Sequence, residues 1–515
     1  MQKTKRYVQL LSILCILFTV PKIVNAQSEE KIAPKREFRG VWIASVTNID
    51  WPSKQGLTAE QQKQELIGIL NQHKANGINA IVLQIRPTAD ALYAKSRELW
   101  SHWLMGKQGL KPAEGYDPLQ FAIKEAHSRG MELHAWFNPY RATMSANSVT
   151  AADHITKTRP ELFYTYGGQK LFDPGLPENR EYITQVILDV VKEYDIDGVH
   201  FDDYFYPYRI AGQVIKDSAT FAKYPNGFTK IDDWRRNNVD LLVKMVSDSV
   251  HHYKKHVKFG ISPFGIWRNY REDTLGSKTN GLSNYGELYA DSRKWIKEGW
   301  VDYINPQIYF AFNRSAAPFG VLLDWWAKNT FGRHLYIGQA AYLVNVSREQ
   351  AWRTPSEIPN QIRAIRANDK VQGSVFFSSK SLSTVAKGVA DSLRNDFYKY
   401  PALPPQMPWI DNIPPNEPQD LTAELVSEGI RLKWHKPVKA RDGETASGYV
   451  VYRFEEADKI NILNAKHILN ISFEDNTSYF DRSAEKGKRY TYVVTALDRI
   501  KNESEAGDAV SIERP

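Results

Sequence analysis

The chain has 515 residues, of which 42% are hydrophobic and 24% are charged. This composition is ordinary for a globular protein and excludes disorder, collagen and coiled coil as descriptions of the whole chain. The formal net charge is +8, but beyond residue 26 only 63 basic residues face 59 acidic ones, so charge gives no reason to expect a nucleic-acid partner.

The first 26 residues have the pattern of a removable export signal. Lys3, Lys5 and Arg6 precede an apolar run at 10–20, and small residues occupy the positions that a signal peptidase reads at 24–26. An uncleaved anchor is the alternative, although the run is shorter than the roughly 20 residues of a membrane span. The one cysteine lies in this segment, so the mature chain is expected to have no thiol chemistry. We expect a periplasmic or secreted protein with no membrane span after cleavage.

Amphipathic helices alternate with short apolar runs from residue 38 onward. In the first copy, Thr58 and Gln61 form a capping-box pattern, Gly77 ends the helix, and 78–83 is a buried strand. Eight such apolar runs are found, at 40–46, 79–85, 131–137, 198–201, 257–262, 301–308, 335–341 and 373–377. Strands alternating with helices predict a parallel sheet, and eight of them predict a (β/α)₈ TIM barrel over 37–400. An open doubly wound sheet is the alternative, although no Gly-rich phosphate loop follows any strand.

The character of the sequence changes near residue 401. Prolines crowd residues 401–418 and predict a stiff linker. Short alternating runs over 419–515 then predict a small all-β sandwich. Trp434 near its start and 490–492 (Tyr-Thr-Tyr) near its end resemble a fibronectin type III module, where we expect no chemistry.

Side chains that suit a sugar follow nearly every predicted barrel strand, at the end where barrel enzymes place their active sites. Amides, Arg and carboxylates bind hydroxyl groups, while Trp and Tyr rings cover the apolar faces of sugars. The candidate substrate-binding residues are Gln84, Arg86, His134, Asn138, Arg141, Tyr204, Asn305, Gln307 and Tyr309. The alternative is a structural role. His134 would then be a core residue whose hydrogen bonds are all made within the protein, and Arg86 and Arg141 would be partners of nearby acids.

Two adjacent acids, Asp202 and Asp203, close the fourth predicted strand. Buried carboxylates are costly unless they are paired or used, and strand alternation places them on opposite faces. Glycoside hydrolysis usually needs two carboxyl groups, and this pair could supply both. Alternatively, one of them works with a carboxylate from another loop: Asp50, Asp90 or Glu287.

Other chemistries lack their sequence signatures. There is no Gly-x-Ser-x-Gly nucleophile elbow and no His-Glu-x-x-His zinc motif. We therefore expect no metal and no cofactor.

Several motifs, in a consistent order, carry a resemblance to a known family. They are RGVWI at 39–43, QIRP at 84–87, HAWFNPYR at 134–141, DPG at 173–175, DGVHFDDYFYP at 197–207 and NPQIY at 305–309. Over residues 36–400 the chain resembles the bacterial glycosyl hydrolase-like family 10. The resemblance implies a (β/α)₈ barrel, export to the cell envelope and, frequently, a C-terminal fibronectin-like domain. The family includes envelope enzymes that cut peptidoglycan strands stripped of their stem peptides, so denuded peptidoglycan is the substrate that the resemblance implies.

The fourth strand also resembles, more distantly, the chitinase-type motif Asp-Gly-x-Asp-x-Asp-x-Glu. Here His200 stands at the first inner Asp, Asp202 keeps the second, and Tyr204 replaces the acid Glu. Because the usual proton donor is missing, the substrate-assisted mechanism of chitinases is not expected.

The sequence thus predicts an exported glycoside hydrolase acting on a polysaccharide, with Asp202 as nucleophile or base and Asp203 as the partner acid. A noncatalytic carbohydrate-binding protein on a barrel scaffold is the first alternative. A hydrolase of a dietary or host polysaccharide is the second.

Overall fold

The computed structural model describes residues 33–515. The predicted export signal at 1–26 lies outside the described residues. None of the helices formed by residues 33–515 combines the length and the apolar character that a membrane span requires.

Strands and helices alternate between residues 38 and 392, and the described elements after residue 400 are strands and one short 3-10 helix (Ala465–His467). The strands are β1 (Phe38–Ile43), β2 (Ala80–Arg86), β3 (Glu132–Phe137), β4 (Phe163–Tyr166), β5 (Gln169–Phe172), β6 (Gly198–Phe201), β7 (Lys258–Ile261), β8 (Tyr303–Ile304), β9 (His334–Gln339), β10 (Gly373–Phe376), β11 (Gln419–Val426), β12 (Gly429–His435), β13 (Gly448–Glu455), β14 (Ile468–Ser472), β15 (Ser478–Asp481), β16 (Lys488–Leu497) and β17 (Val510–Arg514). The α-helices are α1 (Ala59–Ala75), α2 (His102–Met105), α3 (Pro118–His127), α4 (Ile155–Thr158), α5 (Pro177–Glu193), α6 (Ser218–Lys223), α7 (Ile231–Tyr253), α8 (Asn284–Glu287), α9 (Ser292–Lys297), α10 (Phe319–Ala327), α11 (Glu357–Arg366), α12 (Ser379–Ser383) and α13 (Lys387–Ser392).

Eight parallel strands close into a barrel in the order β1-β10-β9-β8-β7-β6-β3-β2. Each of the eight predicted apolar runs supplies one of these strands, so the predicted (β/α)₈ barrel is confirmed and the open doubly wound alternative is wrong. The strands β4 and β5 form a separate antiparallel hairpin in the connection between β3 and β6. In a barrel of this kind, the loops after the strands gather at one face.

The first helix shows why the sequence folds as predicted. Thr58 accepts a hydrogen bond from the Gln61 backbone, and the Gln61 side chain accepts one from the Thr58 backbone, which completes the capping box. Gly77 follows the helix with φ +74°, and a Cβ there would lie 2.4 Å from the Tyr398 carbonyl oxygen. Glycine is therefore required both by the turn and by the close packing of the chain beside it.

The barrel interior is aromatic as well as aliphatic. Phe38, Trp42, Trp136, Tyr303 and Tyr336 belong to one buried cluster inside the barrel, and the rings of Phe38 and Tyr336 stack with centroids 3.9 Å apart. Large flat rings fill the interior in place of the branched aliphatic residues that dominate most barrels.

The proline-rich segment 401–418 packs against the barrel. Leu403, Met407 and Ile410 are buried, and the latter two join the cluster inside the barrel. The Trp409 indole donates a hydrogen bond to Asp302 at 3.0 Å. The expectation of a stiff spacer therefore needs correction, because this segment is held by its apolar side chains.

The C-terminal strands form two sheets, one in the order β11-β12-β15 and the other in the order β14-β13-β16-β17. Leu432 and Trp434 from the first sheet share a buried core with Tyr449 and Val494 from the second, so the two sheets pack face to face as a sandwich. Ile500, in the loop after β16, packs with the barrel interior.

Buried ion pairs join this sandwich to the barrel. Lys501 contacts Asp197, which directly precedes β6, at 3.1 Å, and His127 contacts the same carboxylate at 2.7 Å. Burial alone would raise the pKa of Asp197, but the Lys501 ammonium and the hydrogen bond with His127 hold it well below its usual range. Arg499 pairs with Asp195 beside them. The sandwich is therefore fixed to the barrel by charge as well as by apolar contact.

Lys501→Met is expected to destabilise the protein by about 3 kcal/mol, because it removes the lysine partner of the buried Asp197 carboxylate and leaves His127 as its remaining ion-pair partner. The measurement is the midpoint of urea unfolding followed by tryptophan fluorescence. Lys439→Met, at an exposed position, is the control and should leave the midpoint in place. An unchanged midpoint for Lys501→Met would show that the contact does not hold the two parts together.

Candidate active site

A cavity of about 550 Å³ opens among the loops that follow the barrel strands. Residues at or just after the C-terminal ends of all eight strands line it, as barrel enzymes require. Aromatic side chains form about half of its wall: Trp42, Trp136, Tyr204, Tyr208, Phe264, Tyr309, Phe310, Tyr342 and Phe377. A concave aromatic surface with a few polar groups is typical of a small-molecule or sugar site.

Among the residues that line this cavity, the two carboxylates are Asp202 and Asp203. Both are at most 6% exposed. Of the other acids considered, Asp50 accepts hydrogen bonds from Ser378 and from backbone amides behind the wall, and Asp90 contacts Gln108. These contacts hold loops together, so the two adjacent acids form the candidate pair. The third alternative acid, Glu287, is paired with Arg209 at 2.9 Å, also outside the lining.

Asp202 is held by three donors. Its Oδ2 accepts hydrogen bonds from the Trp136 indole at 3.1 Å and from the Asn138 amide, and its Oδ1 accepts one from the Tyr204 backbone at 3.1 Å. The Asn138 side chain in turn accepts a bond of 2.6 Å from Gln84. This chain of amides fixes the orientation of the Asp202 carboxyl group.

The neighbouring acid has its own partners. Gln307 donates to Asp203 Oδ1 at 2.9 Å, and the Tyr208 hydroxyl donates to Oδ2. The same Gln307 amide donates to the Ser262 carbonyl at 2.9 Å. The two carboxyl groups are thus oriented by different strands, the first by β2 and β3 and the second by the ends of β7 and β8.

The pair cannot easily hold two negative charges. Burial, and then the charge of Asp203, raise the pKa of Asp202 to about 7. Burial also raises the pKa of Asp203, against hydrogen bonds from Tyr208 and Gln307 that lower it. Just below neutral pH Asp202 is therefore still largely protonated, and it can donate a proton while a neighbouring carboxylate accepts one.

The structure brings most of the predicted sugar-binding residues to this cavity. Those that line it are Gln84, Arg141, Tyr204, Gln307 and Tyr309. Tyr204 is 44% exposed at the rim, and the Tyr309 ring packs edge-on to Tyr342 with centroids 5.7 Å apart. Asn138 lies behind Asp202, where it positions the carboxyl group.

Three predicted residues lie outside the cavity lining. Arg86 is buried and forms two hydrogen bonds with Glu98, at 2.7 and 2.6 Å. His134 lies in the barrel interior against Tyr303 and Glu132. Asn305 is buried, and its side-chain amide has no hydrogen-bond partner among residues 33–515. None of the three is among the residues that line the cavity, so the structure does not bring them to the predicted sugar site.

A buried chain of hydrogen bonds runs through the barrel to the cavity floor. The Trp42 indole can only donate, so its contact of 3.3 Å makes His200 Nε2 an acceptor and leaves the proton on Nδ1. His200 Nδ1 then donates to the Tyr303 hydroxyl at 3.0 Å, and Tyr303 donates to His134 Nδ1 at 2.8 Å. His134 Nε2 donates to Glu132 at 3.1 Å.

The far end of this chain is an ion pair. The Lys258 ammonium lies 2.5 Å from Glu132. Burial alone would raise the pKa of Glu132, but the charge of Lys258 lowers it to about 2. Burial holds the pKa of His200 well below its usual range, so the imidazole is neutral. This series of hydrogen bonds therefore fixes the indole of Trp42, a cavity residue that was not among the candidate substrate-binding residues predicted from the sequence.

Tyr208 was also missed by sequence reasoning. Its hydroxyl contacts Asp203 from the loop after β6, only one residue beyond the motif that carries the two acids. Tyr recurs at every second position through 204–208 (Tyr-Phe-Tyr-Pro-Tyr), and this repeat is the signal that points to it.

One group of acidic side chains in the described part of the chain is close enough to hold a metal ion, namely Asp411, Asp442 and Glu444. It lies in the segment before the sandwich and in the sandwich itself, outside the cavity. Exposed acidic groups of this kind are common without a metal.

The comparisons with known proteins identify a family and its relatives. The family model described as "Glycosyl hydrolase-like 10" matches residues 37–354. The "Glycosyl hydrolase YngK" of Bacillus subtilis is 45% identical over 509 residues, which cover 97% of each chain. The "Glycosyl hydrolase DigH" of Escherichia coli K12 is 39% identical over 370 residues, covering 67% of this chain and 83% of that protein.

Among solved structures, the PgaB (BpsB) glycoside hydrolase domain from Bordetella bronchiseptica is similar at 13% identity. The match covers 70% of this chain and 99% of that domain, with a TM-score of 0.46.

Proposed function

The chain belongs to the glycosyl hydrolase-like 10 family, and from that membership we propose that it hydrolyses glycosidic bonds in a polysaccharide. The observation that carries the proposal is the pair of buried carboxyl groups, Asp202 and Asp203, in the wall of an aromatic cavity at the C-terminal end of the barrel. Glycoside hydrolysis uses one carboxylic acid to protonate the leaving oxygen and one carboxylate as base or nucleophile.

The proton balance suggests which acid has which role. A group with a pKa of about 7 is still largely protonated just below neutral pH, so Asp202 is the proposed proton donor. Asp203, which accepts hydrogen bonds from Gln307 and Tyr208, is the proposed carboxylate. These assignments exchange the roles expected from the sequence, where burial could not be weighed.

Denuded peptidoglycan is the proposed substrate. The proposal follows the resemblance of this chain to enzymes that cut glycan strands without stem peptides. The aromatic wall of the cavity supports it, because rings such as Trp42, Trp136 and Tyr309 can stack on the apolar faces of amino sugars.

The proposed compartment and domain arrangement follow from the same resemblance. Basic, apolar and small residues at 1–26 support export to the periplasm or the medium. We also propose 37–400 as the catalytic barrel, 401–418 as a packed connection and 419–515 as a fibronectin type III module. In the module, the Tyr490 hydroxyl contacts the backbone of Glu485 upstream at 3.1 Å, as in the tyrosine corner of such sandwiches.

The test is to incubate the purified protein with peptide-stripped peptidoglycan strands and with intact sacculi, and to analyse the products by mass. We expect soluble oligosaccharides from the stripped strands, and none with Asp202→Asn. Product length then separates cleavage within the strand from release at its end. Binding of strands without product after prolonged incubation would instead favour a noncatalytic binding protein. Release of sugar only from another polysaccharide would instead indicate that the substrate is a dietary or host polymer.

A further inference from the structure

Arg141 is the one cation among the residues that line the cavity. It is 6% exposed, and its Nε donates to the Pro87 carbonyl at 3.0 Å. No carboxylate of residues 33–515 forms an ion pair with it within 4 Å, although the charges of Asp202 and Asp203 act on it from a greater distance. A buried cation without a partner is costly unless something supplies the missing charge.

Three of the other buried arginines in this protein are paired with an acid, whereas Arg180 donates to the Pro174 carbonyl and forms no ion pair within residues 33–515. Arg39 contacts Glu37 at 2.8 Å, Arg86 contacts Glu98 at 2.6 Å, and Arg235 contacts Asp217 at 2.6 Å. An acid thus neutralises three of the four other buried guanidinium groups. Arg141 differs from these three in facing the cavity instead of an acid.

The position of Arg141 is fixed on both sides. Its backbone bridges to Leu171 in the hairpin strand β5, and its guanidinium carbon lies 5.1 Å from the centre of the Tyr204 ring. The backbone, the Nε contact and the ring leave the planar edge of the guanidinium to bind a ligand. That edge matches a carboxylate with two parallel hydrogen bonds.

We propose that Arg141 binds a carboxylate carried by the sugar in the cavity, and so selects acidic glycans. The inference rests on the proposed function and deepens it. Two kinds of sugar carry such a group: muramic acid, through its lactyl ether, and uronic acids. In peptidoglycan the lactyl carboxylate is uncovered only when the stem peptide has been removed, because the peptide converts it to an amide.

The negative charge of the two acids does not forbid this ligand. Asp202 is still largely protonated just below neutral pH, which reduces the negative charge that opposes an anionic ligand. Asp202 and Asp203 are also each bound by donors of their own, which leaves the guanidinium edge for the substrate. Arg141 is therefore proposed as a specificity-determining residue.

The experiment compares peptide-free glycan strands with the same strands after their carboxylates are converted to amides. For the wild type, kcat/KM should be about 10- to 100-fold higher for the acid form, the size expected for a charge-assisted hydrogen bond. In Arg141→Gln the ratio should fall to about one. Arg141→Lys, which keeps the charge but loses the fork, should give an intermediate ratio. Uronic-acid oligosaccharides are tested in the same way. Their cleavage would identify uronic acids as a source of the carboxylate, and their resistance would leave muramic acid as the source.

Arg209→Gln is the matched control, since it removes an arginine that is paired with Glu287 outside the cavity lining. Its ratio should equal that of the wild type. A wild-type ratio near one, or the same ratio in wild type and Arg141→Gln, would overturn the inference. If Arg141 only adjusts the charge of the acids, Arg141→Gln will shift the pH profile equally for acid and amide strands, which also overturns it.

Failure of the proposed function is recognised separately. If no strand is cleaved, binding is measured by the change in intrinsic tryptophan fluorescence, to which Trp42 and Trp136 in the cavity contribute. Tighter binding of the acid form than of the amide form by the wild type, with equal binding of both forms by Arg141→Gln, would support carboxylate recognition without hydrolysis. Equal binding of both forms would overturn it.

Discussion

Asp203→Asn is expected to lower kcat/KM for glycan cleavage by about 10²- to 10⁴-fold, the range for loss of a group that transfers protons or attacks in the transition state. The fold should survive, because an amide fits the same contacts. Its oxygen can accept from Gln307, and its nitrogen can donate to the Tyr208 hydroxyl, which rotates to accept. The measurement is the initial rate of product release at saturating and at low substrate, with unfolding followed in parallel.

Two further variants make the result specific. Glu287→Gln removes an acid that is paired with Arg209 and lies outside the cavity lining, and it should retain wild-type activity. Asp203→Glu keeps the carboxylate but displaces it by one methylene, and it should recover part of the rate. Full activity in Asp203→Asn would show that Asp203 has no catalytic role and that another carboxylate works with Asp202.

The barrel was predictable because its signals are local. Each strand is a short, continuous apolar run, and Gly77 with φ +74° ends the first helix just before such a run. The sandwich was equally visible from its alternating runs. The position of 401–418 was not, because nothing in a run of prolines shows that Met407 and Ile410 will cover the barrel interior.

The site was predictable only where sequence position determines geometry. Asp202 and Asp203 follow a strand directly, so they reach the face where the cavity forms. Arg86 also ends its strand, yet its side chain is held by Glu98, an acid on the following loop whose approach depends on the fold. His134 meets Tyr303, which lies 169 residues later in the chain.

The same physics explains why the roles of the two acids could not be read from the sequence. Strand alternation separates their faces but does not say which one is more deeply desolvated. Burial and the charge of Asp203 together raise the pKa of Asp202 to about 7, and both causes depend on the walls supplied by other strands. The acid and base assignments therefore follow from packing and hydrogen bonding.

The pH dependence of cleavage is expected to be bell-shaped, with an alkaline limb near pH 7. Asp202 must be protonated to donate, and its pKa is about 7, so activity is present below that pH and falls about tenfold per unit above it. Asp203 must be ionised, and burial raises its pKa above the ordinary value. Activity is therefore also lost as the pH falls through that raised pKa. The measurement is kcat/KM from pH 4 to 9 at constant ionic strength.

Tyr208→Phe separates the two limbs. The Tyr208 hydroxyl donates to Asp203 and favours its ionised form, so removing it should raise the pKa of Asp203 further. The acidic limb should then move to higher pH, while the alkaline limb, set by Asp202, stays in place. A profile that is flat between pH 5 and 9 would contradict an acid with a pKa near 7. Movement of the alkaline limb alone in Tyr208→Phe would mean that Asp203 is the proton donor, and the two roles would have to be exchanged.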